Sequence, residues 1–237
     1  MAASASNEIV VRHLFAASIN TQKGLADWVA YRVLRNSVGV ASLLPRLWQA
    51  DALLDAPALQ NSETNARFIQ PDLSNQQDRD YRINEIIINP EERGRLAPMS
   101  SFANTPYWDE LNYLSNMAPI PAALRIGSWS RLDQAINELA IREQQLFVIS
   151  GPVYTIEGAN SRQTALNSDR PIAYFKVVAI ETNYAAFLFP QGLSQHSHYC
   201  GQLSSIERLQ ELSGLDFFPG RTLDEGDLQT QLGCITN

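Results

Sequence analysis

The stretch "NPEERGRLAPMSSF", Asn89–Phe102, is the most informative part of this chain because further segments follow its centre, "ERGRLAP", in a fixed order. "YWDELNYLSNMAP" starts at Tyr107, "LRIGSWSRLD" at Leu124 and "VISGPVY" at Val148. A single short motif arises by chance, whereas an ordered series over much of a chain does not. The order and spacing of these segments therefore guide the interpretation of fold and function.

The composition is that of a soluble globular protein. The 237 residues fit one large domain or two small ones and can bury a substantial core. The net charge of −7 argues against nucleic-acid binding over the whole surface and leaves room for a local basic cleft. Lys23 and Lys176 are the only lysines, so the basic side chains are mostly arginines. Arginine is the better fork for phosphate, although this usage is also explained by composition alone.

The N-terminal sequence carries no targeting segment as it stands. "MAASASNEIVVRHLF" has neither the basic first region nor the apolar core of a signal peptide. The small residues of "AASAS" resemble the segment that follows the cleavage site of a removed signal peptide. No apolar run reaches the roughly 18 residues of a membrane span. We therefore expect no membrane partner.

Two cysteines, Cys200 and Cys234, leave two possibilities open. Buried thiols are the default inside a cell, and one disulfide is the default outside it. A bridge would close a loop of roughly 35 residues, which the chain-entropy treatment values at about 4 kcal/mol. The spacing alone does not choose between them.

Hydrophobic patterns predict a mixed fold. "NEIVVRHLFAAS" and "DWVAYRVLR" alternate as two strands, while "QLFVISGPVY", "IAYFKVVAIE" and "NYAAFLFPQ" are apolar enough for central strands. Trp129–Arg142 has the apolar face of an amphipathic helix. A second helix begins at a cap, Ser204 or Ser205, and ends at Gly214. Strands flank helices without βαβ regularity, which favours a single α+β domain.

The ordered segments resemble the DNA/RNA non-specific endonuclease family of the ββα-metal superfamily, and within it the secreted bacterial sugar-non-specific nucleases. Their first motif reads Asp-Arg-Gly-His. "IVVRH", "WVAY" and "PRLWQAD" fit the N-terminal part of the family, and "AYFKVV", "NYAAFLF" and "IERLQELSGLDFF" fit the C-terminal part. The resemblance implies a central antiparallel sheet flanked by helices, with residues 1–237 as one domain and residues 1–7 disordered.

The resemblance also implies a chemistry that this chain has lost. The family cleaves phosphodiesters with a hydrated Mg²⁺ and a histidine that deprotonates the attacking water. Arg95 stands at the place of that histidine. A guanidinium stays protonated and has no acceptor, so it cannot act as a general base. Loss of a general base typically costs about 10²–10⁴ in rate.

The place of the metal-binding asparagine is taken by Arg125. Mg²⁺ takes neutral or anionic oxygen ligands, so we expect neither a metal nor another cofactor. The glutamate that holds a metal-bound water is Asp133, which is shorter by one methylene and still able to do so. Asn137 replaces an arginine that faces the leaving group, and Ile120 replaces a glutamine.

Part of the phosphate-handling frame is retained. Arg93 and Arg46 match other arginines of the family, and Asn112 and Asn116 match its active-site asparagines. Glu92 replaces the aspartate of the first motif, which is a milder change. The alternatives are that Asn116 simply caps a turn and that Arg46 is a surface residue.

These substitutions predict a pseudonuclease: an arginine-lined cleft that binds nucleic acid or another phosphate-bearing ligand without cleaving it. The four arginines of this predicted cleft are Arg46, Arg93, Arg95 and Arg125. Bidentate guanidinium contacts to phosphate need no metal. The alternatives are neutral drift of an unused site, an active Mg²⁺-dependent endonuclease whose base is Glu92 or water, and a structural or regulatory subunit that dimerises.

The histidines do not replace the lost base. His196 and His198 form a His-x-His pair, a spacing that can bind metal, but a solvated loop away from the cleft is the favoured interpretation. His13 falls on an N-terminal strand and is expected to be structural. In the secreted relatives a bridge occupies the C-terminal region, so the resemblance favours a Cys200–Cys234 disulfide and a secreted or periplasmic protein.

Overall fold

The computed structural model describes residues 7–20, 25–46, 49, 51–54, 94–154 and 171–234. These residues form a central antiparallel sheet with a small two-stranded ribbon beside it. The sheet order is β1 (Asn7–Val11), β2 (Phe15–Asn20), β3 (Leu25–Leu34), β6 (Gln145–Val153), β7 (Ala173–Ile180), β8 (Asn183–Pro190) and β9 (Leu203–Ser204). The ribbon pairs β4 (Gly94–Arg95) with β5 (Met117–Ala118).

The three apolar runs predicted as central strands are confirmed as β6, β7 and β8. β7 is buried along almost its whole length because β6 and β8 pair with it on both sides, as in Phe147 opposite Ala179 and Val178 opposite Ala185. A strand without a solvent face needs apolar side chains in both directions, which explains the continuous run in the sequence.

The N-terminal segment differs from its prediction. "NEIVVRHLFAAS" forms two strands, β1 and β2, because the chain reverses at Arg12 and the Arg12 amide donates to the Phe15 carbonyl at 2.8 Å. Asn7, expected in a disordered segment, is the first residue of β1 and is opposite Asn20. Residues 1–6 of that prediction lie outside the described residues.

Within the described ranges the α-helices are, in chain order, α1 (Ala122–Leu124), α2 (Ser130–Glu143), α3 (Ile206–Ser213) and α4 (Leu228–Gln231). α1 runs into a π-helical turn, Arg125–Trp129, which leads directly into α2. The predicted end signals of α3 are confirmed: the Ser205 hydroxyl accepts from the Arg208 amide at 3.2 Å, and Gly214 closes the helix at φ 70°. None of the helices in the described ranges is long and apolar enough to cross a membrane.

The sheet separates two apolar cores. The larger core packs α2 and the segment of residues 94–129 on one face, through side chains such as Leu132, Ile136 and Phe187. The smaller core packs α3 on the other face, through Phe175, Leu209 and others. The segments that carry Arg95, Asn112, Asn116, Arg125 and Asp133 therefore contribute apolar neighbours of these residues to the larger core.

The predicted bond between Cys200 and Cys234 is present. It joins a 3₁₀ turn, Tyr199–Gln202, to Cys234, which lies three residues beyond the end of α4. The choice that the spacing left open is thus resolved in favour of the bridge.

Candidate functional site

Arg95 is placed by the ribbon of β4 and β5. Gly94 is opposite Ala118 and Arg95 is opposite Met117, so the two residues enter the site as extended backbone. Ile120 is buried and packs over Gly94, where an added Cβ would lie 2.7 Å from the Ile120 Cβ. Gly94 is therefore needed for this close approach, and Ile120, at the place of a family glutamine, serves packing.

Asn112 and the backbone of Leu111 hold the Arg95 guanidinium. Arg95 Nη2 donates to Asn112 Oδ1 at 2.6 Å, and Arg95 Nε donates to the Leu111 carbonyl at 3.3 Å. Asn112 in turn donates from Nδ2 to the Pro45 carbonyl at 3.2 Å. The buried Asn112 thus connects Arg95 to the segment that carries Arg46, whose side chain is exposed.

Asn116 has a different task from Asn112. Its Oδ1 accepts from the Ala97 amide at 2.8 Å, and its Nδ2 donates to the carbonyls of Ala97 at 2.9 Å and Leu111 at 3.1 Å. The residue is fully buried, and these bonds tie the segment after β4 to the 3₁₀ turns at Trp108–Asn112 and Leu114–Asn116. Asn116 holds the first motif in place rather than facing a ligand.

Arg125 begins the π-helical turn that precedes α2. Gly127 departs from helical geometry at φ −93° and ψ −121°, and an added Cβ there would lie 2.7 Å from the Gln195 carbonyl oxygen. Such π-helical turns occur frequently at functional sites. The turn therefore sets the half-buried Arg125 at a local break in the helical geometry.

The loop that carries the histidine pair packs against this turn. Ser128 Oγ donates to the Ser197 carbonyl, and Arg131 Nη2 donates to the Gln195 carbonyl at 2.9 Å. The backbone of the loop thus contacts the residues that follow Arg125, although the sequence placed it away from the cleft. The rings of His196 and His198 are exposed, as a solvated loop predicts.

Asp133 does not face the cleft as an isolated carboxylate. Lys176 Nζ donates to Asp133 Oδ1 and lies 3.8 Å from the centroid of the Trp129 ring. Burial raises the pKa of Asp133 and lowers the pKa of Lys176, and their mutual attraction opposes both changes. The resemblance assigned the Asp133 carboxylate to a metal-bound water. In the structure one of its two oxygens is instead bonded to the buried Lys176 ammonium.

Asn137 braces the segment that follows the first motif. Its Oδ1 accepts from Ser101 Oγ at 2.6 Å, and its Nδ2 donates to Ser100 Oγ at 3.0 Å. At the place of an arginine in the family, this chain therefore has a buried amide that joins α2 to the 3₁₀ turn Met99–Ser101. Glu92 and Arg93 lie outside the described residues.

The sequence model of the DNA/RNA non-specific endonuclease family matches residues 1–223 of this chain. The chain belongs to this family.

Members from distant organisms are similar to the chain over much of its length. A nuclease of Serratia marcescens is 29% identical over 238 residues, covering 97% of this chain and 82% of that protein. A nuclease of Nostoc sp. is 22% identical over 228 residues, covering 89% and 73%. The solved structure of the EndoG/EndoGI complex superimposes with a TM-score of 0.65 at 18% identity, covering 93% of this chain and 91% of that one. The endonuclease fold predicted from the sequence is thus confirmed.

The described residues that the resemblance assigns to the metal site do not fit Mg²⁺. Mg²⁺ requires oxygen ligands in near-octahedral geometry, and Arg125 presents a guanidinium there. One Asp133 oxygen is bonded to Lys176, and Asn112 Oδ1 is bonded to Arg95. Across the described ranges no three His, Cys, Asp or Glu side chains gather as a metal cluster.

Lys176 is the residue that sequence reasoning missed. It is fully buried in the middle of β7, within the otherwise apolar run "AYFKVVAI". Lysine is almost never fully buried unless it is paired, so a lysine in a predicted central strand indicates a buried anion nearby. That signal was present in the sequence, but it did not identify Asp133, 43 residues away, as the partner.

Proposed function

We propose that this protein is a catalytically degenerate member of the DNA/RNA non-specific endonuclease family. It binds nucleic acid, or another phosphate-bearing ligand, through a cleft that includes Arg46, Arg95 and Arg125. The observation that carries the proposal is the bond of 2.6 Å from Arg95 to Asn112, at the position where family members have the catalytic histidine. Arg93, assigned from the sequence, completes the predicted set.

The chemistry of these side chains argues against hydrolysis. A guanidinium has no acceptor atom and does not deprotonate in proteins, so Arg95 cannot activate water. Arg125 cannot ligate a cation, and Asp133 is paired with Lys176. Each of the three steps that hydrolysis needs in this family (water activation, metal binding and orientation of a metal-bound water) thus lacks its usual side chain.

The same side chains favour binding. Arginine is planar and presents several donors in a fork that matches two phosphate oxygens at once. Asn112 and the Leu111 carbonyl fix the Arg95 guanidinium before a ligand arrives. A side chain already held in one orientation loses less conformational entropy on binding, which raises affinity.

The bond between Cys200 and Cys234 supports an oxidising compartment. We therefore include a secreted or periplasmic location in the proposal. The two cores share one sheet, which supports a single domain over residues 1–237. A homodimer remains part of the proposal as a hypothesis from the resemblance alone.

The decisive experiment incubates the purified protein with supercoiled plasmid and with RNA, in Mg²⁺ and in EDTA. We expect no nicking at high protein concentration, together with retention of a labelled oligonucleotide in a binding assay. Nicking that requires Mg²⁺ and persists through repeated purification would overturn the proposal. It would support an active, reworked endonuclease instead, with its base and ligands near Glu92 and Asp133. Absence of oligonucleotide binding would overturn the binding half of the proposal.

A further inference from the structure

Two exposed rings, those of His13 and Tyr107, stack on each other at the start of the segment that leads to Asn112. The centroids of His13 and Tyr107 are 3.9 Å apart and their planes differ by 1°. The His13 side chain is 62% exposed and Tyr107 is 43% exposed. Tyrosine is enriched at interfaces because its ring is apolar and its hydroxyl is polar.

The fold holds this pair in place from below. His13 Nδ1 lies 2.6 Å from Glu110 Oε1, and the Leu14 amide donates to Glu110 Oε2 at 3.3 Å. Glu110 is itself buried. A buried carboxylate thus holds an exposed ring in one orientation, which indicates a preorganised surface.

The pair and the cleft are built on the same short segment. Tyr107 immediately precedes the 3₁₀ turn Trp108–Asn112, which contains Glu110 and ends at the asparagine that holds Arg95. With a rise of roughly 2 Å per residue, Tyr107 lies about 10 Å along the turn from Asn112. One strand of stacked nucleic acid covers that distance in about three nucleotides, at about 3.4 Å each.

We propose that His13 and Tyr107 form a stacking platform for a nucleobase, and that the ligand of the cleft is single-stranded nucleic acid. The inference rests on the proposed function, since the platform takes a base of a chain whose phosphates the arginines bind. The bases of a duplex are already stacked on each other, whereas those of a single strand can stack on protein rings. Stacking accepts any base, so we expect little sequence preference.

The positive charge nearest in sequence to His13 is already paired, which is consistent with a platform for base faces rather than phosphates. The guanidinium of Arg12, beside His13, is paired with Asp51 and lies over the Tyr113 ring at 4.1 Å. Phosphate recognition is thus left to the arginines of the predicted cleft, and the His13–Tyr107 surface is left to bases.

The test compares three labelled 12-mers by fluorescence anisotropy: a mixed-sequence single strand, an abasic phosphodiester chain of equal length, and a blunt duplex. We expect the single strand to bind more tightly than the other two. His13→Ala and Tyr107→Ala should each weaken single-strand binding by about 5- to 150-fold, the range for loss of one stacked base. Binding of the abasic chain should not change.

Two variants serve as matched controls. Tyr107→Phe keeps the ring and should bind the single strand as the unmodified protein does. Ile141→Ala removes an apolar side chain of similar exposure from α2, outside the segments that carry His13 and Tyr107, and should have no effect.

The outcomes separate the platform from the cleft. Equal binding of the single strand and the abasic chain, unchanged in the alanine variants, overturns the platform and leaves the cleft standing. Equal weakening of both ligands by Tyr107→Ala also overturns the platform, since the ring would then act through the fold. Failure of the unmodified protein to bind either ligand overturns the proposed function and the platform together.

Discussion

Asp133 of α2 is bonded to Lys176 of β7 on the face of the sheet that carries the larger core. Lys176 also lies over the Trp129 ring. The pair joins the helix that follows the cleft to the centre of the sheet. A buried ion pair is expensive to form because both charges lose water, so its role here is to fix α2 rather than to add net stability. The Asp133 carboxylate is therefore buried beside the sheet.

We predict that Lys176→Met destabilises the protein by about 3 to 5 kcal/mol, because it leaves the Asp133 carboxylate buried without its cation. Urea unfolding followed by far-ultraviolet circular dichroism measures the change. The double variant Lys176→Met with Asp133→Leu should recover most of the loss, since an apolar pair of similar volume is tolerated. A loss below about 1 kcal/mol in the single variant would show that Asp133 finds another partner or water.

Arg95→His combined with Arg125→Asn should produce Mg²⁺-dependent nicking of supercoiled plasmid. The double variant restores a side chain that can take a proton and an oxygen ligand at the two positions that lost them. It should exceed Arg125→Asn alone by about 10²–10⁴, the range of a general base. Arg95→His alone is the control without a restored ligand. An inactive but folded double variant would mean that the Asp133–Lys176 pair also blocks catalysis.

The salt dependence of binding should identify Arg95 as a phosphate contact. Each phosphate neutralised on a single strand contributes about 0.7 to the slope of log affinity against log salt. Arg95→Ala should lower the slope by that amount, and Arg95→Lys should keep the slope while lowering affinity because the fork is lost. Arg208→Ala is the matched control, since Arg208 is paired with Glu211 at 2.6 Å on α3. An unchanged slope in Arg95→Ala would remove Arg95 from the cleft.

Local patterns predicted much of the fold because their causes are local. The runs that became β6, β7 and β8 are largely apolar. The apolar face of α2 and the cap and end signals of α3 each come from residues that are close together in the chain. The division between β1 and β2 was missed because the turn depends partly on Glu110, which accepts from the Leu14 amide 96 residues away.

The candidate site was less predictable from local patterns. The resemblance grouped Arg95 with Asn112 by their family positions, and the structure adds the bond between them. The Asp133–Lys176 pair and the His13–Glu110 pair join residues 43 and 97 positions apart, and neither residue type nor spacing selects such partners. A lysine in a strand predicted to be buried indicates that an anion lies nearby, but the sequence does not identify that anion.

Stability should fall at alkaline pH because buried phenols must ionise. Burial, followed by the nearby Asp133 charge, raises the pKa of Tyr31, and burial raises that of Tyr174. A folded pKa above the unfolded value of about 10 gives stability that is complete below pH 10 and is lost as pH rises towards the folded pKa. Lys176 acts in the opposite direction because burial lowers its pKa.

Thermal unfolding between pH 8 and 11.5 measures this dependence. Tyr31→Phe should lose less stability over that range than the unmodified protein, since one buried phenol is gone. An equal decrease in the two proteins would show that Tyr31 reaches solvent before it ionises.

The bond between Cys200 and Cys234 should account for a large share of the stability. It closes a loop with a sequence separation of 34 residues, which in the chain-entropy treatment is worth about 4 kcal/mol. Reduction should therefore lower the free energy of unfolding by about that amount, measured in urea with and without a phosphine reductant. The double variant Cys200→Ser with Cys234→Ser should resemble the reduced protein and ignore the reductant. A reduced protein as stable as the oxidised one would mean that other contacts hold the C-terminal segment without the bridge. One such contact is the bond from the Tyr199 hydroxyl to the Leu232 carbonyl at 2.7 Å.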